Sequence, residues 1–162
     1  MSAERRLDRM EAVLAARLAR VACAVQAVHH RHNTSAILRT CDALGIHQID
    51  LVEGHFVATA GAARGAERWL DLHHHRSPAE AVASIAGAGF DIWVADLDPD
   101  GVPPEAVPVD RPVCLWFGAE LEGVLPEARA AAAGVVQIPM HGMAQSLNVS
   151  VAAALTLRPV AE

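Results

Sequence analysis

There is no lysine in this chain, so every one of its 13 strong cations is arginine, set against 19 acidic residues for a formal charge of −6. That balance argues against a generic nucleic-acid coat, because unspecific phosphate binding needs a surplus of clustered cations. The distribution qualifies the total: Arg5, Arg6, Arg9, Arg17 and Arg20 crowd the first twenty residues. They read either as a solvated helix face or as an RNA-facing arm, since guanidinium alone can grip phosphate bidentately. Hydrophobic residues make up 52% of the chain, yet no uninterrupted apolar run is long enough for a membrane span. The start, Met1-Ser2-Ala3-Glu4-Arg5-Arg6, lacks the apolar centre of a signal peptide. A cytoplasmic globular protein with no membrane partner is the expectation. Cysteine is scarce. Cys23, Cys41 and Cys114 are odd in number and show no C-x-x-C spacing, which favours buried free thiols over disulfides or zinc ligands. Histidine is abundant but badly spaced for a metal: His29, His30 and His32 share one short stretch, and His73-His74-His75 alternates faces along a strand. No metal is expected. Aromatics are only 4% of the residues, and Trp69, Trp93 and Trp116 follow β-rich runs, as core or rim residues do and as a base-stacking platform does not.

What is present suits one domain of ordinary size, divided as an arginine-rich helix over 1–20 and a main body over 21–162. Leu7, Met10, Leu14 and Leu18 predict an amphipathic helix over Glu4 to Arg20. Val21 to Val28 follows as a strand. After the polar run from His29 to Asn33, one of Asn33, Thr34 or Ser35 can cap a helix carrying Ile37, Leu38, Cys41 and Leu44, which Gly45 closes. A strand over Ile49 to Val52 completes a right-handed parallel crossover. The small-residue stretch from Gly54 to Gly65 reads as a loop, and Arg68 to His73 as another strand. Ser77-Pro78-Ala79-Glu80 is a capping box opening a helix to about Gly87. Phe90 to Ala95 and Val113 to Phe117 are strands, separated by a proline- and aspartate-rich loop over Asp96 to Asp110. A short helix begins at Pro126 and ends at Gly134. These periods predict an α/β fold, a mostly parallel sheet with helices on both faces.

The last stretch, Ile138-Pro139-Met140-His141-Gly142-Met143-Ala144-Gln145-Ser146-Leu147-Asn148-Val149-Ser150-Val151-Ala152, gathers polar side chains between a strand and a helix. Val135, Val136 and Ile138 form the strand, and Pro139 ends it. Ser146 or Asn148 can cap the helix, whose expected apolar face carries Leu147, Val151, Ala154 and Leu155. Such a βα loop is where open α/β sheets bind ligands.

This stretch resembles the third signature of the SpoU/TrmH family of RNA ribose 2′-O-methyltransferases. His32 through Gly45 resembles the first, and Phe117-Gly118-Ala119-Glu120-Leu121-Glu122-Gly123 the second. The similarity covers about residues 20–157, with the signatures in family order. It implies a carboxyl-terminal trefoil knot, a homodimer and the methyl donor S-adenosylmethionine. It implies donor contacts at Ala95, Gly118, Ile138, Met140 and Leu147. Taken singly, Asn33 reads as an N-cap, Arg39 as a solvated mid-helix cation, and Ser146 and Asn148 as caps. The resemblance instead assigns Arg39 to the acceptor, with Asn33 orienting it, Ser146 and Asn148 shaping the pocket, and Glu120 as the alternative base. A guanidinium is effectively always protonated, so both assignments of the base stay open.

The third signature is closest to the branch acting on guanosine 18 of tRNA. Ribosomal RNA methylation by the same chemistry, or a module that binds S-adenosylmethionine and RNA without turnover, are the alternatives. tRNA-methylating relatives usually carry a basic carboxyl-terminal extension beyond the point reached at Glu162. Phosphate contact is therefore expected from Arg5, Arg6, Arg9, Arg17 and Arg20, with Arg31 and Arg64 nearer the centre.

Overall fold

In the computed structural model the described residues are 2–26, 31–53 and 65–162, Arg31 by its backbone alone. The expected loop from Gly54 to Gly65 falls outside them except for Gly65, as do His29 and His30.

Helices α1 (Ala3–Ala15), α2 (Arg31–Leu44), α3 (Pro78–Gly87), α4 (Pro126–Ala131) and α5 (Val149–Ala161) accompany strands β1 (Leu18–Gln26), β2 (Ile46–Val52), β3 (Asp71–His75), β4 (Asp91–Ala95), β5 (Val113–Phe117) and β6 (Gly134–Val136). All pairings between these strands are parallel, in the order β3-β2-β1-β5-β4-β6. Alternation along the central strands builds two cores. Val21, Cys23 and Val25 of β1 meet Ile37, Leu38 and Cys41 of α2, with Ala153, Leu157 and Val160 of α5. Ala22 and Ala24 face the other way with Trp116, against Ala81 and Ile85 of α3 and Ala128 of α4. Burial on both faces is why β1 and β5 read as continuous apolar runs. The α/β expectation holds.

Several boundaries move, each for a tertiary reason. The first helix stops at Ala15, not Arg20, because Leu18 donates its N–H to the Gly45 carbonyl at 2.8 Å and pairs with Ile46. Gly45 is required there: at φ +78 its Cβ would sit 2.6 Å from the Ala16 oxygen. The chain between Arg17 and Arg20 is thus drawn into the sheet. Residues 66–69 form a 3-10 turn, and the strand expected from Arg68 begins at Asp71, where pairing with Gln48 of β2 sets its register. The α3 cap forms at Ser77, with the Glu80 N–H donating to Ser77 Oγ at 3.2 Å, while the Glu80 carboxylate reaches back one residue further than a capping box, to the Arg76 N–H at 2.8 Å. β6 ends at Val136, short of Ile138, because Gln137 donates to the Val102 carbonyl across the sheet edge.

The three cysteines are free and buried. Its hydrogen bond with Cys41, then burial, push the Cys23 thiol well above its ordinary range, and burial does the same to Cys114. Both stay neutral and serve as small core residues. Trp116 is buried and Trp69 is exposed at the rim. Among the described residues no helix is long and apolar enough to cross a membrane.

Candidate functional site

The carboxyl ends of β4, β5 and β6 open onto one cleft of about 570 Å³, the position at which open α/β sheets hold ligands. Its size lies within the range of small-molecule sites. Three loops form its walls, and each is held by polar contacts that the sequence alone did not reveal.

The loop after β5 turns sharply. Ala119 and Gly123 exchange backbone hydrogen bonds of 3.1 and 2.9 Å, with Gly123 at φ +68. Gly118 allows close approach, as expected, but of backbone: its Cβ would lie 2.3 Å from the Gly123 carbonyl carbon. Gln26, fully buried at the end of β1, anchors the turn from below. Its Oε1 accepts from Trp116 Nε1 at 3.0 Å and from the Leu125 N–H at 3.2 Å, while its Nε2 donates to the Gly123 carbonyl at 3.4 Å. A single polar residue interrupting the otherwise apolar run from Val21 to Val28 was the only sequence signal for it.

The loop after β4 is tied to α4. Arg129 donates through Nη1 to Asp96 Oδ2 at 2.9 Å and through Nη2 to Asp98 Oδ2. Gln137 Oε1 accepts from the Asp98 N–H at 3.2 Å. Asp96 faces the cleft. The sequence showed this segment only as an acidic, proline-rich loop.

The loop after β6 leads into α5 through Asn148, which is the helix N-cap; Ser146 is not. Asn148 Oδ1 accepts from the Ser150 N–H at 2.9 Å and from Ser150 Oγ at 2.6 Å. That turns its Nδ2 outward, to donate to Asn33 Oδ1 at 3.1 Å. Asn33 Nδ2 in turn donates to Glu120 Oε1 at 2.6 Å. The polarity is forced from both ends: a carboxylate only accepts, and a cap oxygen is already engaged. Residues 33, 120 and 148, one from each of the three signatures, therefore form a single hydrogen-bonded chain at the cleft.

This chain also corrects the reading of Asn33 as a cap. Helix α2 begins at Arg31, so Asn33 lies inside its first turn, and its carboxamide is engaged with Glu120 and Asn148 instead of Arg39. Arg39 is exposed on α2 and does not line the cleft. Six residues separate it from Asn33, which is about 9 Å along the helix axis and some 120° around it.

Ala95, Gly118, Ile138, Met140 and Leu147 all line the cleft. So do Glu120, Ser146 and Asn148. The arginines scatter. Arg5, Arg6 and Arg9 are exposed on α1. Arg17 donates to the Trp69 carbonyl at 2.5 Å. Arg20 caps α5, donating to the carbonyls of Val160 and Ala161 at 3.1 and 3.3 Å, which turns it away from a phosphate-facing arm. The Arg31 side chain and Arg64 lie outside the described residues.

The α5 face differs from its expected composition. Ala153, Thr156, Leu157 and Val160 are buried against the body, whereas Val151 and Leu155 of the expected face are 47% and 49% exposed. The helix carries two apolar stripes, and the sheet takes the one spaced 153, 157, 160.

The model of the SpoU rRNA Methylase family matches residues 20–158. The chain is 40% identical over 154 residues to the tRNA (guanosine(18)-2′-O)-methyltransferase of Escherichia coli, covering 94% of this chain and 67% of that one. To the enzyme of the same description from Thermus thermophilus it is 41% identical over 159 residues, covering 95% and 80%. The crystal structure of the A. aeolicus TrmH/SpoU tRNA modifying enzyme superposes with a TM-score of 0.89 at 34% identity, covering 98% of this chain and 82% of that one.

Proposed function

The chain belongs to the SpoU rRNA Methylase family, and from that membership and the site we propose that it methylates the ribose 2′-oxygen of guanosine 18 in tRNA, with S-adenosylmethionine as donor. The observation that carries this reading is the Asn148–Asn33–Glu120 chain, which joins the three signatures beside a cleft of donor size. The cleft suits a nucleoside-bearing cofactor: Leu147 and Ile138 offer apolar contact, and the strand ends offer backbone hydrogen-bonding groups. S-adenosylmethionine supplies a sulfonium-activated methyl group.

The chain's own residues supply alignment, which is most of what such a transfer needs. Glu120 is held by Asn33 with a carboxylate oxygen at the cleft. In this reading it would accept the proton that the 2′-hydroxyl gives up. Arg39 stays protonated and acts on the acceptor, steadying substrate phosphate and the 2′-oxygen from the exposed side of α2. Asn148 and Ser146 shape the donor pocket.

The functional unit in this reading is a homodimer in the cytoplasm, acting without metal. Supporting the dimer is the exposed α5 stripe of Val151 and Leu155, with Leu121 at 91% exposure on the neighbouring turn; apolar surface of this kind marks an interaction face. We also assign the chain the family's trefoil knot. Its support is the path from β6 at the sheet edge back across the site to α5, which packs on α2, β1 and β5. The helix ahead of β1 acts as an arm on the methyltransferase body, which takes in residues 18–20 of the expected arm as the start of its sheet, with Arg5, Arg6 and Arg9 toward RNA.

Purified protein incubated with labelled donor and with either tRNA or ribosomal RNA tests the reading, with ribose methylation mapped afterwards. Label at position 18 of tRNA is expected. Methylation of ribosomal RNA alone would move the substrate. No transfer to either, with donor still bound, would leave a binding module.

A further inference from the structure

A second cleft, of about 310 Å³, lies at the far end of α2 from Asn33, between α1, the last turns of α2 and the 3-10 turn at 66–69. Arg6, Arg9 and Arg17 surround it beside Asp42, and Arg17 is itself paired through Nη1 with Asp71 at 4.0 Å, which leaves Arg6 and Arg9 as the surplus. In a chain of net charge −6, such a local surplus of cations marks the approach of an anion. Among the described residues neither Arg6 nor Arg9 has an ion-pair partner, so both guanidinium groups face solvent free to bind. The rest of the lining is apolar, from Met10 and Leu14 of α1 and the indole of Trp69.

Trp69 is 41% exposed, yet it is held. Arg17 Nη2 donates to its carbonyl, and Leu70 after it is buried in the main core. A half-open indole on a held stretch of backbone, beside the Arg6 and Arg9 guanidinium groups, is the chemistry that receives a nucleotide, with the base stacked on the ring and the phosphate paired with arginine. A peptide or a second copy of the chain would need apolar contact without three cations at its rim.

The position fits the same RNA. Asp42 follows Arg39 by three residues and so shares its helix face. It lies nine residues from Asn33, about 14 Å along α2. Asp42 is also about half a turn around α2 from Asn33, so a strand whose ribose sits at Asn33, Glu120 and Asn148 would follow the helix past Arg39 and around it to reach this cleft.

We propose that the α1–Trp69 cleft binds one nucleotide of the RNA substrate outside the reaction centre, its base against Trp69 and its phosphate against Arg6 and Arg9. The inference rests on the RNA-methylating reading above, and binding is measured separately from transfer so that the two can fail independently. The full chain with unmodified tRNA transcript is the probe, as wild type, Trp69→Ala, Trp69→Phe and Arg9→Gln. Trp69→Ala should weaken tRNA binding about 5- to 100-fold and raise KM for tRNA, with S-adenosylmethionine affinity held within twofold. Trp69→Phe, which keeps a stacking face, should recover most of the affinity and lack the quench of Trp69 emission expected when tRNA binds the wild type. Arg9→Gln should weaken binding and lower its salt dependence. Wild-type affinity in Trp69→Ala overturns the proposal. So does equal loss in Trp69→Phe and Trp69→Ala together with lowered thermal stability, which would make the indole structural. A change of oligomeric state with tRNA affinity intact would assign the cleft to protein and also overturn it. Absence of methyl transfer by the wild type would instead defeat the reading of the reaction, leaving the binding comparison to stand.

Discussion

At Asn33 a residue's role follows from which partners are left for it. Already within the first turn of α2 it is past the N-cap position, and its carboxamide joins Glu120 to Asn148. Arg39, on a different face of the same helix, has no part in that chain. Arg39→Ala should therefore lose methyl transfer by orders of magnitude while S-adenosylmethionine affinity, measured by equilibrium dialysis, changes only a few fold. Lost donor binding would show the residue misplaced. Asn148→Ala should damage both, because it removes the α5 cap, costing about 1 kcal/mol, and also frees the Asn33 oxygen. Gln26 makes the opposite kind of prediction. It touches no reacting atom, but Gln26→Leu leaves Trp116 Nε1 and the Leu125 N–H buried without an acceptor. A loss of about 2 kcal/mol or more in urea unfolding is expected. Unchanged stability would mean that water replaces the carboxamide.

Helices α1 and α5 each carry apolar surface that the single chain does not cover. On α5 the sheet buries one stripe and leaves Val151 and Leu155 outward. If that stripe is the dimer face, Leu155→Arg should yield a monomer by light scattering at micromolar concentration, with the fold kept in circular dichroism. A persisting dimer would place the interface elsewhere. Helix α1 buries none of its residues and presents Arg5, Arg6 and Arg9. Neutralising all three should weaken RNA binding across sequences and reduce the slope of log affinity against log salt by about two to three. An unchanged slope would make α1 a solvated helix with no RNA contact.

For the whole molecule, the all-parallel sheet puts three signatures scattered over more than a hundred residues at one set of strand ends. It also buries two thiols on opposite faces. Cys23 and Cys114 have folded-state pKa values raised above those of the unfolded chain. Their contribution to stability is therefore complete below the ordinary thiol pKa, about 8.5, and is lost progressively as pH rises above it. Thermal unfolding between pH 7 and pH 10.5 should show a falling midpoint above about pH 8.5. The fall should be shallower in Cys114→Ala, and an equal fall in that variant would assign the effect to other groups.

Periodicity and turn chemistry were enough for the α/β class, for β5 at Val113–Phe117 and for the Ser77 cap, because these depend on neighbours in sequence. Motif resemblance supplied the family and the residues lining the cleft. What remained undecided in the sequence turned on contacts between distant segments. Asn33 could be a cap or a bridge until Glu120 and Asn148, 87 and 115 residues away, were beside it. Arg20 could face phosphate or solvent until the end of α5 reached it and made it a cap. Which stripe of α5 is buried, and where β1 begins, were likewise set by packing against the sheet. Hydrogen bonds and burial are satisfied in space, and a sequence lists the groups that need partners without saying which partners the fold will bring.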